Sequence, residues 1–266
     1  MTLTLVGVTY RYPGAARPSL TDVALTLDPG EVVGLVGPNE AGKSTVCLVA
    51  AGLAPRAVGG SLEGAVRIDE RNLAALSAAE LAGLVGIGFA AVNLSGICST
   101  VYEEVAFGPM NLGLPRVEVM MRTQQALETV GIIDLAERDP DHLSGGQQQL
   151  VALAGVLAME PRHLVLDEPT AMLDPAGTRL VADALAALAA GGASILVAEQ
   201  KTDVLAAICT RVVVLSEGRV AFEGASASVL ADPRLEALGV DPPTSVRLSR
   251  LAADAGVDPA RLAVPA

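Results

Sequence analysis

One glycine-rich segment constrains the fold more than any other part of the sequence. The run Val32–Val36 is short and apolar, as in a buried parallel strand. It is followed by the pattern Gly-x-x-x-x-Gly-Lys-Ser and by a helical segment that begins near Lys43. This order is typical of a P-loop, in which backbone N–H groups and a helix N-terminus bind phosphate oxygens. A chance glycine-rich turn is the alternative, and the flanking strand and helix argue against it.

The loop itself supplies nine candidates for nucleotide binding. Lys43 is expected to reach the β- and γ-phosphates, and the Ser44 hydroxyl is expected to bind Mg²⁺. Glu40 is unusual because it places a carboxylate near a triphosphate, although a side chain at the loop apex can point to solvent. The nine residues are Gly37, Pro38, Asn39, Glu40, Ala41, Gly42, Lys43, Ser44 and Thr45.

Two adjacent acids end a second apolar strand. Asp167 follows Leu166 directly, and Glu168 comes next. At the carboxyl end of a strand, Asp167 can hold Mg²⁺ through water, and Glu168 can orient or deprotonate an attacking water. Two acids after a strand most often form a solvated turn. In an α/β chain that already carries a P-loop, the catalytic interpretation is favoured.

The rest of the chain alternates short β-branched runs with longer alanine- and leucine-rich segments. This alternation is typical of strands joined by helical crossovers. The prolines after Ala225 predict short helices in an appended tail outside the main sheet. The other predicted elements are a helical insert over about 89–159, strands at 163–166 and 194–197, a helix over 175–190 and a hairpin around 212–222.

Composition excludes several classes of function. The net charge of -12 argues against a protein that binds nucleic-acid backbones, which needs a basic stripe. No apolar stretch approaches the roughly 18 residues of a membrane helix, and the N-terminus does not resemble a signal peptide. The 3 cysteines are far apart and form no C-x-x-C pair, so reduced, packed thiols are expected. We therefore expect a cytosolic chain, unless a partner holds it at a membrane.

A third motif, Ser144-Gly145-Gly146-Gln147, opens a helix before Asp167. With the P-loop, Asp167-Glu168-Pro169-Thr170 and Leu173-Asp174, it resembles the ATP-binding subunits of ABC transporters over about residues 1–225. The resemblance implies ATP and Mg²⁺ as cofactors. It also implies an α/β P-loop NTPase core with a mixed sheet, N-terminal antiparallel β elements, a helical insert and a short C-terminal extension over 226–266.

In that family two subunits form a head-to-tail dimer. Ser144, Gly145, Gly146 and Gln147 would complete the ATP site of the partner subunit. Asp174 matches a loop that crosses the dimer interface. Tyr12 stands where the family stacks an aromatic ring on adenine, although an ordinary strand residue is an equal alternative.

A further segment narrows the resemblance. Residues 105–115, Val-Ala-Phe-Gly-Pro-Met-Asn-Leu-Gly-Leu-Pro, follow Thr-Val-Tyr-Glu-Glu and look like the energy-coupling factor (ECF) transporters and the related cobalt-uptake ATPases. This resemblance implies a transmembrane coupling protein and a substrate-binding membrane component as partners, at the cytoplasmic face of the membrane. It also implies a vitamin or metal ion as cargo. We expect the docking face around residues 90–115, and additional dimer contacts from the tail.

The sequence departs from the family at two positions. Ala90 stands where a glutamine is usual, and Gln200 stands where a histidine contacts the γ-phosphate. Alanine offers no side-chain hydrogen bond, and glutamine cannot become cationic. Harmless drift or a one-residue mismatch is the alternative. His142 and His163 are expected at the surface or at a strand edge, and neither can substitute.

We therefore hypothesise that this chain binds ATP but hydrolyses it weakly, with Glu168 and Gln200 as its catalytic residues. A second ABC ATPase subunit would then complete an asymmetric heterodimer, although a homodimer is possible. Two other functions compete with the importer. One is a soluble ABC ATPase acting on nucleic acid or ribosomes, which the single cassette and the negative charge disfavour. The other is a regulatory ATP-binding module that does not hydrolyse ATP.

Overall fold

The computed structural model describes residues 1–89, 94 and 98–255 of the chain. Strands and helices over these ranges alternate as the sequence predicts. The strands are β1 (Leu3–Arg11), β2 (Leu20–Leu27), β3 (Val32–Val36), β4 (Ser61–Ile68), β5 (Arg71–Asn72), β6 (Val85–Gly88), β7 (His163–Asp167), β8 (Ser194–Ala198), β9 (Arg211–Ser216) and β10 (Arg219–Ala225). The helices are α1 (Lys43–Ala50), α2 (Ala78–Ala82), α3 (Val101–Asn111), α4 (Arg116–Thr129), α5 (Gly145–Leu157), α6 (Pro175–Ala190), α7 (Thr202–Ile208), α8 (Ser226–Leu230), α9 (Pro233–Ala237) and α10 (Thr244–Asp254).

The main sheet has six strands in the order β10-β9-β3-β8-β7-β6. All neighbours are parallel except β10, which returns antiparallel to β9 in the predicted hairpin. The central strands β3, β7 and β8 are almost wholly buried, as expected for strands covered on both faces. Leu35 pairs with Ala198, and Ala198 pairs with Asp167. The loops after β3, β7 and β8 therefore meet at one edge of the sheet, where α/β proteins bind ligands.

A second, antiparallel sheet has the strand order β2-β1-β4-β5. Its strands alternate buried and solvent-facing residues, which is typical of a sheet with one face against the core. Leu5 of this sheet, Val46 of α1 and Leu196 of β8 belong to one buried cluster. Helix α1 is thus held between the two sheets, and the loop that precedes it is fixed from both sides.

Helices α3, α4 and α5 form the helical region that the sequence predicts between β6 and β7. The predicted helical spacing over 117–130 is confirmed by α4, and that over 147–157 by α5. Val105 of α3, Leu127 of α4 and Val151 of α5 are buried against one another in a shared cluster. Ala90 lies outside the described residues.

The prediction for His163 is wrong. We expected a surface or strand-edge residue, but His163 is 0% exposed at the start of β7, between β6 and β8. Its Nδ1 is 2.5 Å from the hydroxyl oxygen of Ser194 on the neighbouring strand. The position at the beginning of a strand suggests an edge, but the flanking parallel strands cover the residue on both sides. His142 is exposed, as expected.

From residue 226 to residue 255 the chain forms α8, α9 and α10, which lie outside both sheets. Helix α10 is tied to α7 by Asp203, whose carboxylate accepts bonds of 2.8 and 2.9 Å from the amide and hydroxyl of Thr244. The Thr202 hydroxyl donates to the Asp241 carbonyl at 2.8 Å. Across the described ranges, no helix combines the length and the apolar character needed to cross a membrane.

Candidate nucleotide-binding site

The loop between β3 and α1 is built on two glycines that no other residue could replace without rearrangement. A Cβ at Gly37 would lie 2.2 Å from the Leu215 carbonyl oxygen. Gly42 has φ of +102°, and a Cβ there would lie 2.8 Å from Leu20 Cδ2. Gly42 also precedes α1, which has no side-chain cap and no acidic residue in its first turn. The free N–H groups of that turn are thus available to an anion.

Lys43 is held inside this loop. It is 7% exposed, and its Nζ donates to the carbonyl oxygens of Gly37 and Pro38, each at 2.9 Å. Burial lowers the pKa of Lys43, and the nearby carboxylates of Glu168 and Asp167 partly offset that effect. The ammonium therefore stands at the loop centre with two carbonyl partners that phosphate oxygens can replace.

Ser44 and Asp167 form the second part of the site. The Ser44 hydroxyl at the start of α1 is near the Asp167 carboxylate at the end of β7. Burial raises the pKa of Asp167, the Ser44 hydroxyl lowers it and the Glu168 charge raises it. A hydroxyl and a carboxylate beside a phosphate loop are the hard oxygen ligands that Mg²⁺ prefers, so these residues fit the ion.

Glu168 and Gln200 meet at the mouth of the loop. The Gln200 side-chain amide donates to Glu168 Oε1 at 2.5 Å, although the two residues belong to different strand–helix connections. Glu168 has φ of +51°, a left-handed conformation that costs a non-glycine residue of order 1 kcal/mol. The backbone N–H of Glu168 donates to the Ala198 carbonyl at 2.8 Å and holds this turn.

These residues surround an open cleft of about 830 Å³. The sequence predicted most of its lining, including Asn39, which is exposed there, and Glu40, which has φ of +63°. It missed two segments, one in the loop before β2 and one in the hairpin turn after β9. The complete lining is Arg17, Pro18, Ser19, Asn39, Glu40, Gly42, Lys43, Ser44, Thr45, Glu168, Gln200, Glu217 and Gly218.

Tyr12 follows the last residue of β1, so it is not a strand residue. Its hydroxyl is 3.2 Å from the hydroxyl of Thr45, a buried residue that lines the cleft. Its ring is perpendicular to that of Tyr10, with centroids 5.0 Å apart. Tyr12 is thus joined to the cleft through Thr45, and its contact with adenine stays a prediction.

Sequence reasoning did not single out Glu199, which lies directly behind Gln200. Glu199 is 2% exposed, and its carboxylate accepts a hydrogen bond of 2.6 Å from the Thr170 hydroxyl. The same pattern that revealed Asp167, an acid immediately after a buried strand, also applies to Glu199. This pattern could therefore have identified Glu199 as a candidate site residue.

The segment Ser144–Gln147 lies at the start of α5. Ser144 Oγ accepts from the Gln147 amide at 3.3 Å, and Gln147 Oε1 accepts from the Ser144 amide at 3.0 Å. This capping box fixes the helix start while Ser144 and Gly145 stay exposed. The residues that line the cleft come from other segments of the chain.

Asp174 lies beside this helix start. It caps α6, and its Oδ1 accepts from the Gly177 amide at 2.7 Å. A Cβ at Gly146 would lie 3.1 Å from the Met172 carbonyl oxygen, so the loop before Asp174 packs against the start of α5. Ser144, Gly145, Met172 and Asp174 thus form one exposed surface, called here the α5–α6 surface.

Comparison with known proteins identifies the family. The family model described as ABC transporter matches residues 20–171. A putative ABC transporter ATP-binding protein of Pyrococcus abyssi is 40% identical over 243 residues, covering 91% of this chain and 87% of the relative. The chain belongs to the ATP-binding subunits of ABC transporters, which hydrolyse ATP.

Within that family the chain is of the cobalt-import and energy-coupling factor type. The cobalt import ATP-binding protein CbiO of Rhodobacter capsulatus is 38% identical over 91% of this chain and 85% of the relative. The energy-coupling factor transporter ATP-binding protein EcfA of Methanocaldococcus jannaschii is 38% identical over 84% and 78%.

Solved structures agree with the fold. The structure of cbiO1 from Clostridium perfringens, described as part of the ABC transporter complex cbiONQ, has a TM-score of 0.76 and 30% identity, covering 96% of this chain and 98% of that one. A dimer of the ATP-binding cassette MJ0796 bound to ADP and Pi has a TM-score of 0.74 and 28% identity, covering 84% and 98%. The α/β fold predicted from the sequence is confirmed.

Proposed function

We propose that this chain energises an ECF-type membrane importer as one of two ATPase subunits that close on ATP and reopen after hydrolysis. The observation that carries the proposal is the division of the site. Lys43 and Glu168 face an open cleft, whereas Ser144 and Gly145 are exposed on the α5–α6 surface. In a head-to-tail dimer, the Ser144 helix start of one subunit would cover ATP in the cleft of the other, and Asp174 would lie at the interface.

The positions of five side chains at or beside the cleft then suggest their roles. Lys43 and the free N–H groups of α1 bind the β- and γ-phosphates of ATP. Ser44 and Asp167 would hold Mg²⁺, which supplies positive charge to the phosphates when bound. Glu168 accepts a proton from the attacking water, and Gln200 orients Glu168.

We further propose that this site hydrolyses ATP weakly. One carboxylate oxygen of Glu168 already accepts a hydrogen bond from Gln200, so the other oxygen must serve the water. Gln200 cannot carry a positive charge next to the γ-phosphate, and Ala90 has no side-chain donor or acceptor. The stronger site would belong to a second ATPase subunit, completed by Ser144 of this chain. A heterodimer is favoured over a homodimer.

The helical insert is the proposed docking face for the transmembrane coupling protein, at the cytoplasmic face of the membrane. An apolar groove of about 700 Å³ runs between α3 and α4. Met110, Met120 and Met121 line it with 52, 50 and 59% exposure, although methionine is usually buried. Flexible methionines suit a surface that repacks when a partner binds and moves.

Two parts of the proposal rest on the resemblance to importers. The cargo would be a vitamin or a metal ion, bound by a separate membrane component. The extension 226–266 would add contacts between the two ATPase subunits, and Leu251 of α10 is 64% exposed on a helix available for that purpose. A nucleic-acid partner is not expected at a net charge of -12.

Affinity purification of the tagged full chain from detergent-solubilised membranes tests the proposal. A second cassette ATPase and a transmembrane protein should copurify. Ser144→Arg should weaken the ATP-dependent association with the second ATPase and leave the transmembrane protein bound. Ser77→Arg is the matched control, because Ser77 is also an exposed N-cap in a capping box, on α2. Recovery with ribosomes or nucleic acid, or equal effects of both variants, contradicts the proposal.

A further inference from the structure

Glu199 is a buried acidic residue to which the proposed mechanism gives no role. Both of its carboxylate oxygens are hydrogen-bonded: Oε2 accepts from the Thr170 hydroxyl at 2.6 Å, and Oε1 accepts from the backbone amides of Gln200 and Lys201 at 2.9 and 3.2 Å. The carboxylate is thus bound at once to the segment after β7 and to the segment after β8. Such a satisfied, buried carboxylate fixes the geometry of everything it touches.

The two segments are joined at further points. The Lys201 ammonium donates to the Thr170 carbonyl at 2.6 Å, and the Glu168 amide donates to the Ala198 carbonyl. The Glu199 amide donates to Leu35 of β3, immediately before the phosphate loop. Glu199 therefore lies where the ends of β3, β7 and β8 come together.

These hydrogen bonds restrict Gln200. Its side chain is exposed, and a free glutamine on a loop samples several rotamers. Because Glu199 fixes the peptide groups on both sides of Gln200, the side chain leaves the backbone in one direction, towards Glu168. Helix α7 has no side-chain cap, so Glu199 is also the group that satisfies these amides before the helix begins.

We propose that Glu199 is a positioning residue, which holds Gln200 against Glu168 by fixing the 199–201 backbone to Thr170. This inference rests on the proposed roles of Glu168 and Gln200. It assigns to Glu199 no contact with ATP. Its carboxylate acts as an acceptor of three hydrogen bonds, and its charge is not required for the geometry.

The first test uses single-turnover ATP hydrolysis by the full chain in excess over ATP. Glu199→Ala should lower the rate about 10-fold and change the dissociation constant for ATP by less than about 3-fold, because Gln200 is released and the phosphate loop is intact. Glu199→Gln should retain most of the rate, since an amide oxygen can accept from both backbone amides and its NH₂ group can donate to Thr170. A loss with Glu199→Gln as large as with Glu199→Ala would overturn the geometric role.

A double-mutant cycle separates positioning from general destabilisation. If Glu199 acts through Gln200, the variant Glu199→Ala/Gln200→Ala should be no slower than Gln200→Ala alone. Additive losses would overturn the proposal. If Gln200→Ala leaves the rate unchanged, the proposed role of Gln200 fails. Amide exchange then tests separately whether Glu199 fixes the 199–201 backbone to Thr170.

Amide hydrogen exchange measures how firmly Glu199 holds the 199–201 backbone, and it does not depend on ATP hydrolysis. The amides of Gln200 and Lys201 should lose protection from exchange in Glu199→Ala. They should also lose it in Thr170→Val, which removes the hydroxyl that binds the other oxygen of Glu199. The threonine variant keeps the test available if Glu199→Ala does not fold. Thr202→Val is the matched control, because Thr202 is also a buried threonine whose hydroxyl donates to an oxygen, the Asp241 carbonyl. It should leave protection at 200–201 and the hydrolysis rate unchanged. Unchanged protection in Thr170→Val, or equal effects of both threonine variants, would overturn the proposal.

Discussion

The phosphate cleft and the helical insert belong to the same chain, but their functional side chains differ in how far they are buried and held in place. In the cleft, Lys43 is 7% exposed and is held by two backbone carbonyls of its own loop. In the insert, Met120 and Met121 are at least half exposed around an apolar groove. The cleft holds its groups in position before the ligand arrives, whereas the groove is completed only by a partner.

The contrast follows from what each region must recognise. A triphosphate is small and charged, and donors that are already fixed, such as Lys43, lose little conformational entropy when they bind it. A moving protein partner needs a surface that adapts, and unbranched methionines such as Met121 provide one. Changes in the cleft should therefore alter ATP binding and hydrolysis, and changes in the groove should alter assembly alone.

The largest expected effect is at Lys43. Lys43→Met should lower hydrolysis by about 100-fold or more and weaken ATP binding, because the buried ammonium is the main positive charge for the β- and γ-phosphates. Isothermal titration with ATP and single-turnover hydrolysis measure the two effects. Association with the transmembrane partner should persist. Loss of that association would mean that the cleft and the groove are not separable.

A large effect on stability is expected from pH through His163, at the start of β7. Burial, with help from the N-terminal ammonium and Arg162, lowers the pKa of His163 from 6.5 to about 4, while Asp69 opposes this. Between these values the unfolded chain binds a proton that the folded chain excludes, so stability falls as pH drops from 6.5 towards 4. The loss should approach roughly 3 kcal/mol. Urea unfolding should show a flatter pH dependence in His163→Gln; an equal slope in both proteins would refute the assignment.

A moderate effect is expected in the groove. Met121→Glu should reduce copurification of the transmembrane protein about 10-fold, because a carboxylate would be buried against the partner. Val117→Glu is the control on the same helix, since Val117 is 79% exposed and is not among the residues that line the groove. ATP binding should be unchanged in both variants. Equal losses from both would assign the effect to charge on α4 rather than to the groove.

The smallest expected effect is at Glu40. Glu40→Gly should tighten ATP binding a few-fold, because it removes both a left-handed non-glycine residue and a carboxylate that lines the cleft. Glu40→Gln removes only the charge, so the difference between the variants measures the backbone contribution. Weaker binding by both variants would show that Glu40 assists the nucleotide.

The sequence predicted the parts of this account that depend on local pattern. The phosphate loop, the acids after β7 and the helix start at Ser144 each follow from a short motif next to a strand or helix signal. Their neighbours could not be read in this way. Glu199 gains its partner Thr170 only because β7 and β8 are adjacent in the sheet, and His163 was misjudged because no local pattern reveals which strands cover it. Sheet order decides both.

The central claim is that this chain's cleft binds ATP more effectively than it hydrolyses it, and that its Ser144 helix serves a stronger site on the partner. Steady-state turnover of the purified complex tests it most directly. Glu168→Gln should leave most of the turnover, whereas the equivalent glutamate substitution in the partner ATPase should abolish it. Equal losses from the two substitutions, or full turnover by this chain alone as a homodimer, would contradict the account.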